Sequence, residues 1–499
     1  MASGNLGGDA IRFVQREIAA VCRASGRLQI RSVESPLQQL ALRSLDHEID
    51  RWWRAGKRRI RQPSVIAADS QTALENAQHL RGLHFGTRPV CTVLRPRFLT
   101  PAQYRLLHDT VKVLLPAFQA VYARALADAT FRQQFRMLDW EEQLLGIDPG
   151  FPDPSPTSRF DTFFASDDEL LFTEFNTETP AGAGYSDALA ELFYGVPVFQ
   201  EFQRRFRVSP IPAKPGILHA LTDSFKRWQG NTSDAPRVAI LDWREVPTFS
   251  EFVLFYDYFK AMGIEARIVD PREVEYRDGK LMAGDYHITL IYKRVLISEL
   301  IERGGLDHPV VRAVRDRAVC MVNSFRCKIL FKKASLAVLS DERNAAMFAP
   351  GQLAAVKKHI PWTRVVEPRT TTGPDGAAID LVPWAAANKD RLVLKPNDDY
   401  GGKGIVLGWT VEQRAWDDAL QTALALPYVV QQKVRLPSEA FPSFEGNSLQ
   451  VIDRMLDTNP YVAFGAYMHG CLTRISTDPL VNVTAGGGST VPTFLVEPR

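Results

Sequence analysis

The stretch Arg391 to Trp409, RLVLKPNDDYGGKGIVLGW, constrains this chain most. Leu392 to Leu394 and Ile405 to Trp409 are short branched apolar runs, so the segment predicts two strands joined by a turn-rich loop. Gly401, Gly402 and Gly404 accept left-handed backbone angles that cost other residues roughly 1–2 kcal/mol, and they let backbone amides approach an anion closely. Lys395 closes the first strand and Lys403 lies among the glycines, so two cations flank those amides. The arrangement suits a phosphate. It differs from the G-x-x-x-x-G-K-[ST] loop, because it runs from strand to strand rather than from strand to helix. Taken alone, the stretch also reads as an ordinary Gly-rich hairpin, and the rest of the chain has to decide between the two.

A chain of 499 residues exceeds one ordinary core and predicts two to four domains. Its formal net charge of +3 demands neither nucleic acid nor an acidic surface as partner. Cys22, Cys91, Cys320, Cys327 and Cys471 are scattered without C-x-x-C spacing, which argues against a disulfide scaffold and a zinc site and for the cell interior. Met1 to Ala20 lacks a signal-type apolar core, and no run approaches the ~18 apolar residues of a membrane helix. The expectation is a soluble, cytoplasmic protein with no membrane partner.

Residues 1–146 read as a mostly helical region running from Asp9 to Leu145, with Thr100 as the N-cap of a helix that opens at Pro101. Within it Arg51 to Gln62, RWWRAGKRRIRQ, reads as a solvated helix face with anchored indoles, the alternative being a contact with nucleic acid or anionic lipid. The Pro/Gly cluster Ile147 to Ser158 marks a boundary. Residues 147–235 then carry strands Arg159–Phe164 and Leu170–Asn176 about the polar turn Ala165–Asp168, a helix from about Ser186 to Phe193, and a Pro-rich stretch from Ser209 to Gly216. Residues 236–325 predict a β-α-β unit from Val238–Leu241, Phe249–Met262 and Ala266–Val269, a hairpin about Asp278-Gly279, and a strand Ile288–Tyr292. The absence of G-x-G-x-x-G disfavours a nicotinamide cofactor. Residues 326–499 hold the glycine loop, a helix Val411–Ala425, and strands Tyr428–Val434, Leu449–Leu456 and Tyr461–Tyr467. A turn at His469-Gly470 leads into Cys471–Ile475, and a polar loop runs from Asn482 to Thr490.

Three features bear on chemistry. Alternate residues of a strand face one side, so Glu174 and Asn176 are presented together, and Asp161 follows Arg159 with the same alternation on the neighbouring strand. Asp161, Glu174 and Asn176 offer three hard oxygen ligands, the chemistry Mg²⁺ prefers at about 2.0–2.1 Å; a hairpin with polar ends is the plainer reading. The strand carrying Gln431 and Gln432 can read a purine edge or serve as core. Arg474, placed opposite Cys471 on a terminal hairpin, suits a phosphate or a developing oxyanion, or else a surface ion pair.

The order Arg159-x-Asp161, Glu174-x-Asn176, Lys333, V-L-K-P with a glycine loop, Y-x-x-Q-Q and a terminal arginine resembles the circularly permuted ATP-grasp ligases, the group that includes the glutathionylspermidine synthetase type. The resemblance covers roughly Arg159 to Arg499. It implies a mixed α+β and α/β fold, a circularly permuted ATP-grasp core with a small β-α-β domain and the N-terminal helical region. It implies ATP and Mg²⁺, with Asp161, Glu174 and Asn176 as metal ligands and Arg159 near the reacting groups. Lys333, or Lys332 in its place, and Lys395 match the nucleotide lysines, and Gly401, Gly402, Lys403 and Gly404 match the loop over the phosphates. Gln431 or Gln432 matches the strand beside adenine, and Arg474 the arginine that steadies the transferring group. The implied function is ATP-dependent joining of a small-molecule or peptide carboxylate to an amine through an acyl phosphate, with Arg294 a candidate on the substrate side. The alternative is an ATP-binding scaffold or regulatory protein without catalysis.

The chain departs from the synthetase type in three places. Nothing around Cys22 or Cys91 resembles a Cys-His amidase, the loop reads D-D-Y-G-G-K-G, and the ending R-I-S-T-D-P-L-V-N-V-T-A-G-G-G is more similar to other ATP-grasp carboxylate ligases. Glutathione and spermidine are therefore not carried over as substrates.

Overall fold

The computed structural model describes residues 63–499 apart from 167, 233, 400, 480 and 482–487. The helix expected from Asp9, Cys22, the basic segment Arg51–Gln62 and most of the Asn482 loop lie outside the described residues.

Thr100 caps the helix Pro101–Ala127 as its sequence predicts: its hydroxyl accepts from the Gln103 amide at 3.2 Å, and the Gln103 side chain accepts from the Thr100 amide at 3.0 Å. The apolar stripe Leu107, Val111, Leu114, Phe118 and Val121 is fully buried. It packs on the hairpin formed by Thr157–Phe164 and Leu170–Asn176. Phe160 and Phe175 stack with ring centroids 4.0 Å apart, and Phe118 from the helix meets them at 5.3 and 4.7 Å. The alternation R-F-D and E-F-N thus sends aromatic rings to the helix and leaves the polar residues on the other face.

That hairpin belongs to an antiparallel sheet built mainly from the chain's other end. The strand order is Ser438–Glu445, Ser448–Leu456, Tyr467–Ser476, Asn459–Ala463, Thr157–Phe164 and Leu170–Asn176, and Ser489–Val491 also pairs with Tyr467–Ser476. The expected turn at His469-Gly470 is instead a bulge inside the continuous strand Tyr467–Ser476. Gly470 has φ +59°, and a Cβ there would lie 2.5 Å from that of Ala213, so only glycine fits. The chain reverses earlier, at Phe464 and Gly465, which both have positive φ. Arg474 consequently lies on the same strand as Cys471 and pairs with Thr490, while Cys471 pairs with Pro460.

A second, parallel sheet has the order Cys320–Val322, Leu290–Lys293, Arg237–Leu241, Glu265–Val269, with the helix Phe249–Ala261 crossing between the last two. The strand expected over Ile288–Tyr292 divides at Thr289: Tyr286–Ile288 joins a separate antiparallel sheet with the hairpin about Asp278-Gly279, and only Leu290–Lys293 enters the parallel one. A third sheet, all antiparallel, runs Thr363–Val365, Tyr428–Gln432, Leu392–Pro396, Val406–Leu407 and is backed by the helix Gln413–Ala425.

Two further stretches gain detail. The Pro-rich stretch before Gly216 runs into the helix Lys214–Trp228, because a proline in the first turn needs no backbone N–H there. The described part of the N-terminal region is mainly helical but includes Arg97–Leu99, a strand parallel to Thr493–Pro498, which also pairs with Phe206–Pro210. Such pairing leaves no local signal in three residues. Among the described residues no helix is long and apolar enough to cross a membrane.

Because Phe160 joins the helix to the hairpin, Phe160→Ala is expected to lower stability by about 3–5 kcal/mol in urea unfolding followed by circular dichroism. A loss below about 1 kcal/mol would mean that the helix does not support this sheet.

Candidate functional site

Register brings the first group of side chains together. Arg159 pairs across the hairpin with Asn176 and Asp161 with Glu174, which places all four on one face, away from the phenylalanines. A bulge after Asp161 adds Thr173 to the neighbourhood. Opposite this face stands the third sheet, where Val393, Lys395 and Gln431 share a side. Between the two lies a cavity of about 470 Å³ whose wall includes Arg159, Asp161, Glu174 and Asn176 from the hairpin, Lys395, Gln431 and Gln432 from the third sheet, Gly401 and Gly402 from the loop, and Arg474.

Asp161 is the most heavily engaged group. Its Oδ1 accepts from Arg159 Nε at 3.1 Å, Arg159 Nη2 at 3.0 Å and Asn176 Nδ2 at 2.9 Å, and its Oδ2 accepts from Arg474 Nη2 at 2.6 Å. Burial opposes its charge, but the Arg474 and Arg159 guanidiniums overcome that and hold its carboxyl down at about 2. Arg474 is fixed from the other side by Asp457, whose carboxylate accepts from its Nε and its backbone amide, each at 2.7 Å. Burial pushes the Asp457 carboxyl up. Arg159 also donates to the Ala181 carbonyl at 2.7 Å.

Both nucleotide-lysine candidates face this set. Lys333 Nζ lies 3.1 Å from Glu174 Oε1 and donates to the Asp399 carbonyl at 2.6 Å. Lys332 points elsewhere, into a buried cluster with Glu141 and Asp398. Lys395 donates to Gln431 Oε1 at 2.7 Å and the Thr173 carbonyl at 3.3 Å. Burial pushes its ammonium down to about 8, against the pull of Glu174 and with the repulsion of Lys333. Gln431 is thereby committed to Lys395 and, through Nε2, to Thr363 Oγ1 at 3.0 Å, so of the two glutamines Gln432 keeps the side chain outside this network.

The glycine loop crosses from Leu392–Pro396 to Val406–Leu407 with Gly401, Gly402 and Gly404 at φ +69°, +79° and +70°. A side chain at Gly404 would also strike Pro396 at 2.7 Å. Lys403 and Gly404 are exposed and are not part of the cavity wall. Arg294 does line the cavity, but its guanidinium is buried against Glu251 at 3.0 Å, Tyr292 Oη at 3.0 Å and the Pro180 carbonyl at 3.2 Å.

Sequence reasoning passed over Asp457, which holds Arg474, and Asn397, which joins the loop to the lysine segment. Asn397 accepts the Lys333 amide on its carbonyl and the Ala334 amide on its side chain, each at 2.9 Å. The N-D-D run after K-P was the available signal for the second. None existed for the first, since Asp457 meets Arg474 only through strand pairing.

The donor chemistry fits a hard cation in part. Glu174 and Asn176 line the cavity, Glu174 also pairing with Lys333 at 3.1 Å, whereas Asp161 is shared with two guanidiniums. Among the described residues no group of three or more His, Cys, Asp or Glu side chains gathers as a metal site.

No protein-family model matches the sequence, and no curated protein matches it. Solved structures do resemble it. A glutathione synthetase-like effector from Globodera pallida in apo form superposes with a TM-score of 0.54 at 13% identity, over 87% of this chain and 98% of that one. A putative gamma-glutamylcysteine synthetase from Methylobacillus flagellatus KT matches with a TM-score of 0.40 at 12% identity, over 80% and 89%. The chain is a mixed α/β protein with a fold similar to the glutathione synthetase-like one.

Lys395 is expected to titrate near pH 8 in the folded protein, read as a ¹³C-methyl signal after reductive methylation and absent from Lys395→Met. Its ordinary value is 10.5, so the folded state binds fewer protons than the unfolded one between about 8 and 10.5. The group's contribution to stability therefore rises with pH across that window, while its attraction for an anion falls. A midpoint at the ordinary value would place the ammonium in water rather than in this cavity.

Proposed function

We propose that the protein is an ATP-dependent carboxylate–amine ligase with a circularly permuted ATP-grasp core, acting through an acyl phosphate. The observation that carries this reading is the meeting, across one cavity, of Lys395 and the glycine loop with the Arg159, Asp161, Glu174, Asn176 and Arg474 set. The similarity in fold to a glutathione synthetase-like protein supports it. Permutation accounts for the early hairpin completing a late sheet, where the Thr162 amide donates to Asn459 Oδ1 across 297 positions. The corresponding division is 1–146, 147–235, 236–325 and 326–499.

In this reading the triphosphate lies under Gly401 and Gly402, with its charge met by Lys395 and Lys333. The purine lies beside Gln432. Glu174 and Asn176, with Asp161 sharing its charge, would hold Mg²⁺, which when bound neutralises phosphate oxygens and draws them into line. A substrate carboxylate oxygen attacks the γ-phosphorus, and ADP leaves. The amine then attacks the acyl carbon, phosphate departs with the C–O bond electrons, and the amine gives up a proton. Arg474 commits Nε and Nη2 to its two carboxylate partners and, with Arg159, brings positive charge to the developing oxyanion. No side-chain nucleophile is needed, so positioning and charge do the work. The substrates are a small-molecule or peptide carboxylate and an amine.

Calorimetric titration with a non-hydrolysable ATP analogue is expected to give Mg²⁺-dependent binding that weakens roughly tenfold or more in Lys395→Ala, about the change expected from one charge-assisted contact. Glu174→Gln and Asn176→Ala are expected to abolish ADP release in the presence of acid and amine pools while leaving thermal unfolding within a few degrees of wild type. Unchanged turnover in both, or no binding to folded wild type, would overturn the assignment.

A further inference from the structure

Behind the cavity lies a charge cluster that the proposed chemistry does not use. Lys328 Nζ contacts Asp398 Oδ1 at 2.6 Å, Glu178 Oε2 at 3.3 Å and Glu141 Oε1 at 3.6 Å. Lys332 Nζ contacts Glu141 Oε1 and Asp398 Oδ2, both at 2.7 Å, and Lys293 approaches Glu178 at 3.9 Å. Three acids face three lysines. Every side chain is buried to within 2% except Asp398, which is 19% exposed and is the one member on the loop. Burial works against its charge, but Lys328 and Lys332 hold its carboxyl well below the usual range.

The position of Asp398 gives the cluster its consequence. It sits between Asn397, which accepts the Lys333 and Ala334 amides, and Asp399, whose carbonyl takes Lys333 Nζ. Towards its other end the Ile405 amide donates to the Gly402 carbonyl at 3.3 Å, and Val406–Leu407 returns to pair with Leu392–Pro396. One end is therefore rooted in the buried lysine pair, and the glycines extend from that root.

We propose that Asp398 is a positioning residue, whose ion pairs with Lys328 and Lys332 pin the root of the glycine loop and so set where Lys333 and the loop amides meet a nucleotide's phosphates. The pinning stands on the geometry alone; its effect on phosphates rests on the ATP-binding reading. Removing the Asp398 charge by itself would leave an uncompensated buried cation, which unfolds proteins for reasons unrelated to the loop. A charge-balanced pair avoids that. Asp398→Asn with Lys332→Met leaves Glu141 and Glu178 against Lys328 and Lys293, and Asp398→Asn with Lys328→Met is the second such pair.

The test is native-state amide hydrogen exchange on the nucleotide-free protein, followed by titration with the ATP analogue. In either balanced variant, exchange over residues 397–404 is expected to quicken by about tenfold while the neighbouring strands keep their protection. Analogue affinity is expected to fall by about as much, and in the enzyme assay KM for ATP should rise more than kcat falls. Asp398→Glu is expected to recover part of both. Wild-type exchange over 397–404 in a folded balanced variant overturns the latch. Fast exchange with unchanged analogue affinity leaves the root pinned by Asp398 but overturns its role in placing the phosphates. Absence of analogue binding to wild type overturns the ATP reading, and the exchange measurement still decides the latch.

Discussion

The negative charge of Asp161 is held between two guanidiniums that arrive from different ends of the chain. Arg159 comes from the same strand and Arg474 from the sheet closed by residues 438–491, and each is fixed again on its outer side, by the Ala181 carbonyl and by Asp457. Removing one ion from such a buried group leaves another uncompensated, so the three are interdependent. The strand register that serves the core therefore also positions the polar face of the cavity. Aromatic packing on one side of the hairpin and ion pairing on the other select the same pairing of strands, because a slip by one residue would exchange the two faces.

The long helix Pro101–Ala127 acquires a role from this arrangement. It presents no side chain to the cavity wall, yet Phe118 backs Phe160 and Phe175, and these lie between the residues that do. A second support works from below. The segment Lys328 to Lys333 sends its three lysines in two directions, Lys328 and Lys332 to the buried acids and Lys333 to Glu174. The Lys332 amide donates back to the Lys328 carbonyl, a single helical turn that puts these two lysines on one side and turns the neighbouring Lys333 towards Glu174 instead.

Much of the candidate site was legible locally. The hairpin strands, the glycine loop with its left-handed angles, and the strand with Gln431 and Gln432 follow from alternation, apolar runs and glycine placement. The placement of Lys333 over Lys332 was open in the sequence, and so was the choice between the glutamines. Those questions turn on where a helix starts and which neighbour a side chain meets. The turn expected at His469-Gly470 failed for a related reason: glycine signals a positive φ, and a bulge uses that as readily as a turn does. The full metal-ligand expectation for Asp161 meets a competing observation as well, since two arginines share its oxygens.

The sequence by itself determined which residues stand on a common face and where the backbone can approach an anion, because both depend on neighbours one to four positions away. Only the tertiary structure decided that the hairpin faces Lys395 across a cavity, that Arg474 pairs with Asp161 rather than standing at the surface, and that Arg97–Leu99 joins a strand from the end of the chain. Those contacts bring together residues hundreds of positions apart. Their free energy comes from burial and charge pairing that no local pattern records, so they become visible only when the sheets are assembled.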